Sequence, residues 1–151
     1  MSRSRVALLD VNVLVALFDP DHVHHDISHD WFAEQRGVGW ATCPLTENGL
    51  VRVLSSPRVS TGLTIPDIAA RLRVLKSAGR HVFWADDVSL TDEHLFRSMS
   101  MRGHRQITDV YLAGLAQAKG GHLATLDRSI PAGAIVDARP DLLQIIEPSA
   151  S

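Results

Sequence analysis

The chain is poor in cysteine, lysine and aromatic residues: it has a single cysteine, Cys43, two lysines, and 5% aromatic residues. One cysteine cannot form a disulfide within the chain, which suits a reducing cytoplasm. No run of 18 apolar residues is present, so the sequence predicts no membrane-spanning helix. The first apolar run is interrupted by Asp10 and has no cleavage-site pattern, which argues against a signal peptide. We therefore expect a cytoplasmic protein.

The charge balance excludes a protein that coats nucleic acid. The formal net charge is −2 and the sequence pI is about 6.4, so the chain does not coat nucleic acid through bulk positive charge. A nuclease is not excluded, because its contacts can be local. Thirteen of the 15 basic residues are arginine. Arginine binds phosphate well, although the base composition of a genome can produce the same bias.

The apolar content and its pattern predict the fold. With 151 residues, 45% of them hydrophobic, the chain is long enough for one domain, expected over residues 1–151 with a core at about 5–147. Apolar strand patterns alternate with helical ones, which predicts a mainly parallel sheet in a three-layer α/β/α sandwich. The first and most apolar strand, 6–9, is expected at the centre.

The remaining elements follow from periodicity and from helix-capping residues. Thr64 and Thr108 are predicted to cap the helices that follow them. The other predicted strands are 40–43, 81–84, 122–126 and either 134–136 or 142–146. The predicted helices are 12–18, 22–35, 45–54, 66–78, 91–101 and 109–119.

Four acidic residues lie where strands end or helices begin. Asp10 interrupts the first apolar run, Glu47 is in the first turn of the third helix, Asp109 is in the first turn of the last helix, and Asp127 follows the fourth strand. The carboxyl ends of parallel strands and the starts of the following helices lie on one edge of a sheet, where ligands bind in such folds. We therefore expect these four carboxylates to gather at one end of the molecule.

Each acid also has a simpler explanation. Glu47 and Asp109 are typical helix-start acids that offset the helix dipole, and Asp127 can open a turn. Asp10 is harder to explain in this way, because it lies between two apolar runs. Clustered carboxylates repel one another unless a positive charge compensates them. A hard divalent cation such as Mg²⁺ is the simplest such charge.

The segments around these acids resemble the four acidic motifs of PIN domains, most closely those of VapC-type toxin ribonucleases. The segments, in chain order, are 8–14 (LLDVNVL), 46–50 (TENGL), 107–113 (ITDVYLA) and 123–127 (LATLD). The resemblance covers nearly the whole chain. It implies a Mg²⁺- or Mn²⁺-dependent endoribonuclease, a homodimer, and a cognate VapB-type antitoxin that blocks the site.

The resemblance also suggests roles for individual residues. Asp10, Glu47, Asp109 and Asp127 form the catalytic set, and Asp10, Asp109 and Asp127 are the expected metal ligands. Asn12 and Thr108 are the expected companion polar residues, although Asn12 equally fits a helix cap. Whether one metal ion or two act is left open.

Other polar residues have competing explanations. Arg102, Arg105 and Arg128 are candidate RNA contacts, with a solvated loop or an ion pair as the alternative. The four histidines between 22 and 29 suggest zinc, but no cysteine or His-Glu-x-x-His signature accompanies them. They are better explained as a solvated helix face or as an anchor for the loop after the first helix. The aromatic residues Trp31, Trp40, Phe83 and Trp84 are expected in the core.

Two other functions use a similar fold. An aspartyl phosphohydrolase has an acid two residues after its nucleophile and a lysine that binds phosphate, but this chain has Asn12 at that position and both lysines in poor contexts. A phospho-acceptor receiver normally has adjacent acids after its first strand, whereas Asp10 lies between Leu9 and Val11. A non-catalytic RNA-binding module does not need all four acids.

Overall fold

Five parallel strands form one sheet, in the order β3–β2–β1–β4–β5. The computed structural model describes residues 5–59, 61–97, 100 and 103–148. The strands are β1 Ala7–Leu9, β2 Trp40–Thr42, β3 His81–Phe83, β4 His122–Thr125 and β5 Leu143–Ile145. The helices are α1 Val11–Phe18, α2 His25–Val38, α3 Pro44–Leu54, α4 Ile65–Leu75 and α5 Ile107–Ala118. None of the described helices is long and apolar enough to cross a membrane.

Strand β1 lies at the centre, as its apolar sequence predicts. All three of its residues are buried, and Leu8 pairs with Ala41 of β2 on one side and Leu123 of β4 on the other. The last strand occupies the second of the two predicted positions. The observed sheet confirms the α/β fold with a parallel central sheet.

Successive strand residues point to opposite faces, and both faces are covered. On one face, Leu8 and Leu123 pack against α5 residues such as Leu115. On the other face, Leu9 and Trp40 belong to a cluster with residues of α1, α2, α3 and α4. A parallel sheet buried in this way keeps its ligand-binding edge at the ends of the strands.

Local signals set several helix boundaries. Thr64 caps α4 as predicted: its hydroxyl accepts a hydrogen bond from the Asp67 amide, and the Asp67 side chain accepts one from the Thr64 amide. Pro44 occupies the first turn of α3, where its missing N–H costs nothing. His25 Nδ1 lies 2.6 Å from the carbonyl oxygen of Ala16, and His29 Nε2 lies 3.3 Å from that of Leu17. These contacts anchor the start of α2 on the end of α1.

One open alternative is decided and two predictions are wrong. Helix α1 is capped by Asp10, which decides against the cap alternative for Asn12. Helix α5 begins at Ile107, directly after a 3₁₀ turn at His104–Gln106, so Thr108 lies inside the first helical turn and is not the cap. Phe83 is 51% exposed, whereas Trp40 and Trp84 are buried as expected, because Phe83 ends the edge strand β3.

The predicted helix at 91–101 is also absent from the described part of that segment. The Arg97 amide donates to the Ala134 carbonyl, and the Val136 amide donates to the Leu95 carbonyl. Phe96 forms an antiparallel bridge with Ile135. This pairing uses the backbone groups that a helix needs, so tertiary contacts override the local helical pattern. Residues 98, 99 and 101 lie outside the described residues.

Candidate active site

Asp10 joins the central strand to the first helix and carries a buried carboxylate. The residue is 4% exposed. Its Oδ1 accepts a hydrogen bond from the Val11 amide at 2.7 Å, and its Oδ2 accepts one from Thr125 Oγ1 at 2.7 Å. Burial raises the pKa of Asp10, the two hydrogen bonds oppose that rise, and the charge of Asp127 adds to it. The fold thus holds this carboxylate in place while removing it from bulk water.

The Thr125 hydroxyl organises the polar groups around Asp10. It donates its one hydrogen to Asp10 and accepts from Asn12 Nδ2 at 3.3 Å and from the Asp127 amide at 3.0 Å. Asn12 Oδ1 in turn accepts from the Leu126 amide at 3.1 Å. Asn12 therefore ties α1 to the chain that follows β4. Alternation along the strand does not by itself show that Thr125 points toward Asp10.

Asp109 and Asp127 share this edge of the sheet with Asp10. Burial raises the pKa of Asp109 to about 6, and the negative charges of Asp10 and Asp127 add to the rise. Asp127 Oδ1 accepts hydrogen bonds from the amide and hydroxyl of Ser129 at 2.8 and 2.7 Å, which fixes the loop after β4. The structure thus brings together three of the four predicted acids.

The charges of the three aspartates are not paired within the part of the chain that the structure describes. Among the described residues, no lysine, arginine or histidine forms an ion pair with any of them. Acids elsewhere are paired, for example Asp141 with Arg5 and Asp87 with Lys119. Among the described residues, no ion pair offsets the repulsion within the cluster, which is the situation that a bound cation relieves.

The fourth acid, Glu47, points to different partners. Its Oε2 accepts a hydrogen bond from Thr42 Oγ1 at 2.6 Å and lies 2.9 Å from Lys76 Nζ. His81 Nε2 lies 2.8 Å from Thr42 Oγ1. Because the Thr42 hydroxyl gives its one hydrogen to Glu47, His81 is the donor to Thr42. Sequence analysis missed Thr42, Lys76 and His81, because they come from three separate elements and no local motif marks them.

The remaining candidates are dispersed. Thr108 is exposed in the first turn of α5, and Arg105 is exposed in the 3₁₀ turn before it. Arg128 forms an ion pair with Glu147, which is the alternative that the sequence left open. Arg102 lies outside the described residues.

The donor set fits a hard divalent cation held partly through water. In the described ranges, no three His, Cys, Asp or Glu side chains are arranged as a ready-made metal cage. Mg²⁺ typically takes only one or two carboxylates directly and keeps several waters, so the oxygens of Asp10, Asp109 and Asp127 suit it. His25 and His29 each contact a backbone carbonyl through one ring nitrogen, and no group of three candidate metal ligands includes them in the described part of the chain.

Solved structures share this architecture. The sarcin-ricin loop cleaving toxin VapC20 of Mycobacterium tuberculosis superposes with a TM-score of 0.60 at 14% identity, over 89% of this chain and 99% of that one. A chain of VapBC2 from Rickettsia felis, solved with a DNA fragment from the promoter, superposes with a TM-score of 0.59 at 14% identity, over 94% of this chain and 99% of that one. At such identity the similarity establishes the fold alone.

Sequence comparison establishes the family. The PIN domain model matches residues 7–135. Ribonuclease VapC38 of M. tuberculosis is 44% identical over 126 residues, 83% of this chain and 87% of that protein. Ribonuclease VapC44 of the same species is 39% identical over 132 residues, 87% of this chain and 93% of that protein. The chain therefore belongs to the PIN-domain family, among its VapC-type members.

Proposed function

We propose that this protein is a Mg²⁺- or Mn²⁺-dependent endoribonuclease that acts as the toxin of a toxin–antitoxin pair. One observation carries the proposal: three aspartates from separate elements share one edge of the sheet and have no cationic partner among the described residues. Their charges act on one another: Asp127 raises the pKa of Asp10, and Asp10 and Asp127 raise the pKa of Asp109. The relatives named ribonuclease support RNA as the substrate.

The proposed roles follow from the contacts of each side chain. Asp10, Asp109 and Asp127 supply the oxygens for the divalent ion, directly or through water. A divalent ion at such a site activates water and stabilises the charge that develops on a phosphoryl group. Thr125 orients Asp10 through a direct hydrogen bond, and Asn12 donates to Thr125 and so holds that hydroxyl in place. Glu47 lies in the first turn of α3, held by Lys76 and Thr42, and is proposed to orient water or RNA beside the ion.

Cleavage of RNA by purified protein tests the proposal directly. A labelled single-stranded RNA incubated with the protein and Mn²⁺ should be cut internally, and EDTA should stop the reaction. Asp10→Asn should reduce the rate by at least about a hundredfold, because the site loses the charge that holds the ion. Asp30→Asn, at an exposed position on α2, is the matched control and should cleave like the wild type. Full activity of a folded Asp10→Asn protein would contradict the assignment.

The site also makes a phosphohydrolase unsuitable as a second candidate. Asn12 stands where such an enzyme has its second acid, and its side chain is already bonded to Thr125 and Leu126. Neither lysine contacts Asp10: Lys76 pairs with Glu47 and Lys119 pairs with Asp87. Absence of a phosphoaspartyl protein after incubation with a phosphate monoester would agree with this argument.

The partner we propose is a VapB-type antitoxin that docks in an apolar groove between α1, α2 and α4. The groove encloses about 650 Å³ and its lining includes Phe18, Phe32 and Val74, with Arg36 and Arg71 among its residues. An apolar segment with acidic flanks complements these charges. The VapBC2 structure supports this class of partner.

We also propose a homodimer in the cytoplasm and inhibition of translation as the outcome of cleavage.

Expression in cells tests the toxin role. Production of the wild type should stop growth and protein synthesis, production of Asp10→Asn should not, and co-expression of the gene product encoded directly upstream should restore growth. Val74→Asp should weaken this rescue, because Val74 is 71% exposed in the groove, and a charge there opposes apolar docking. Val23→Asp, at an 85% exposed position outside the groove, is the control. Light scattering of the purified protein measures the oligomeric state.

A further inference from the structure

A second groove lies beside Glu47, between α3, α4 and the end of β3. It encloses about 510 Å³, and its lining includes Glu47, Asn48, Arg73, Lys76 and Phe83. It combines an exposed aromatic ring, two cationic side chains and one acid of the predicted catalytic set. Apart from Glu47 and its partner Lys76, these residues have no part in the site described above.

Phe83 presents its ring where a buried residue would be expected. It is the last residue of the edge strand and pairs in register with Thr42. About half of the side chain, 51%, is exposed. Lys76 Nζ lies 4.9 Å from the ring centroid, so a cation holds the ring in a defined position while part of it stays open to solvent. An exposed, oriented aromatic ring is a surface on which a nucleic acid base stacks.

The charges around Phe83 suit a phosphate backbone. Lys76 is shared with Glu47, but Arg73 is exposed and forms no ion pair with any described residue. Arginine binds phosphate through paired N–H donors. Arg71, two residues earlier on the same helix, lines the other groove, so the two arginines face different surfaces.

The groove lies at the same edge of the sheet as the aspartate cluster. Phe83 ends β3 and Asp10 follows β1, with β2 between them. Neighbouring strands are about 4.8 Å apart, so the two strand ends are separated by about 10 Å. That distance is of the order of one or two extended nucleotides. Glu47, in the first turn of α3, lines the groove.

We propose that this groove binds the single-stranded RNA next to the cleaved bond, with Phe83 stacking on a base and Arg73 contacting a phosphate. The inference rests on the proposed ribonuclease function and adds the path of the substrate. Selectivity for single-stranded RNA follows, because a base is free to stack on a protein ring only when it is unpaired.

Binding measured without cleavage tests the proposal. An Asp10→Asn background and a fluorescent, unstructured oligoribonucleotide allow anisotropy measurements of Kd. Phe83→Ala should raise Kd about tenfold, since stacking on one aromatic side chain contributes on the order of a factor of ten to binding. Val82→Ala is the matched control: Val82 is 42% exposed on the opposite face of the same strand, and its Kd should stay within about twofold. Phe83→Trp should retain binding.

Salt dependence tests the phosphate contact separately. Arg73→Gln should reduce the slope of log Kd against log salt by about 0.7, the value expected for one phosphate contact on a single strand. Arg71→Gln should leave the slope unchanged. Circular dichroism of each variant checks that the fold is intact, which is expected because these positions are exposed.

The outcomes separate this inference from the proposed function. If the wild type cleaves RNA with Mn²⁺ but Phe83→Ala binds as tightly as Val82→Ala, the groove is not an RNA site and the inference fails alone. If Phe83→Ala instead disrupts self-association or antitoxin binding while RNA affinity is unchanged, the groove is a protein interface and the inference is overturned. If the wild type does not cleave RNA at all, the proposed ribonuclease function is itself wrong.

Discussion

At the scale of single residues, the Thr125 hydroxyl joins three neighbouring side chains and amides at the site. It donates to one carboxylate and accepts from two N–H groups, so all of its hydrogen-bonding capacity is used. The residue is fully buried. Its partners Asp10, Asn12 and Asp127 include two of the proposed metal ligands, and its loss should therefore affect both stability and site geometry.

Replacement of Thr125 tests this arrangement. Thr125→Val keeps the shape but leaves buried polar groups without their partner, and should lower the free energy of unfolding by about 1–3 kcal/mol. Thr125→Ser keeps the hydroxyl and should cost less than Thr125→Val. Denaturant titrations of the three proteins give the comparison. Equal stability of Thr125→Val and the wild type would contradict the hydrogen-bond pattern.

Asp109 gives a prediction about pH. Its pKa of about 6 in the folded protein is above the ordinary value of 3.8, so the folded state binds the proton more tightly than the unfolded state. Ionised Asp109 therefore destabilises the metal-free protein above pH 6, and this cost disappears as pH falls below about 4. Asp109→Asn should raise the free energy of unfolding at pH 7 by about 1 kcal/mol, allowing for solvent screening.

Unfolding titrations in EDTA at several pH values measure the effect. The difference between Asp109→Asn and the wild type should be largest at pH 7 and should shrink steadily toward pH 4. If Asp109→Asn is instead less stable than the wild type at pH 7, with a deficit that shrinks toward pH 4, the carboxylate is stabilised by a positive partner and the prediction is wrong.

At the scale of elements, the close packing of α1 against α3 determines where Asp10 lies. Gly49 of α3 leaves room for Val11, whose amide bonds to Asp10: a Cβ at position 49 would lie 2.6 Å from Val11 Cγ2. Val11 is β-branched and adjusts poorly. The first turn of α1 must shift if this space is filled.

Two glycine substitutions with opposite expected effects on the free energy of unfolding test the packing. Gly49→Ala should lower the free energy of unfolding by about 1–3 kcal/mol through overpacking and weaken Mn²⁺ binding. Gly37→Ala lies near the end of α2 with nothing within 4 Å of its added Cβ, and should stabilise the protein by about 0.5 kcal/mol. Calorimetry of both variants, with Mn²⁺ titrations, distinguishes the two effects. Normal Mn²⁺ affinity in Gly49→Ala would show that α1 does not need this contact.

The sequence predicted the sheet well because its signals are local and strong. The apolar run before Asp10 identified the central strand, and Thr64 with Asp67 identified the start of α4. It failed where contacts across the fold decide the outcome. The backbone of residues 95–97 pairs with residues 134–136, so the helical pattern there is not realised.

The site was predictable only where strand order and local signals place its residues. Parallel strand topology places residues that follow β1 and β4, and the first turn of α5, on one edge, which located Asp10, Asp109 and Asp127. The side-chain direction of Glu47 depends on Lys76, at the end of a different helix, and no sequence spacing reveals that pair. Exposure of Phe83 depends on β3 being the edge strand, which strand order alone decides.

At the scale of the whole molecule, cation binding should stabilise the fold. A ligand that binds only the folded state at a hundred times its Kd raises the free energy of unfolding by about 2.7 kcal/mol. We expect Mn²⁺ to raise the melting temperature of the wild type and of Asp30→Asn, and to have little effect on Asp10→Asn. Glu47→Gln should retain most of the shift, because the Glu47 carboxylate is already paired with Lys76 and is not among the proposed metal ligands. Loss of the shift in Glu47→Gln would place that acid among the ligands.

The sheet order has a consequence for synthesis of the chain. Asp10 is near the start of the chain, but its partners come much later. Thr125, in β4, supplies the hydroxyl that orients Asp10, and Asp127, after β4, is the acid beside it. Strand β4 pairs directly with β1. A nascent or truncated chain that stops before this strand has an open edge on β1 and an incomplete carboxylate set. The proposed nuclease is therefore inert on the ribosome until most of its own message has been translated.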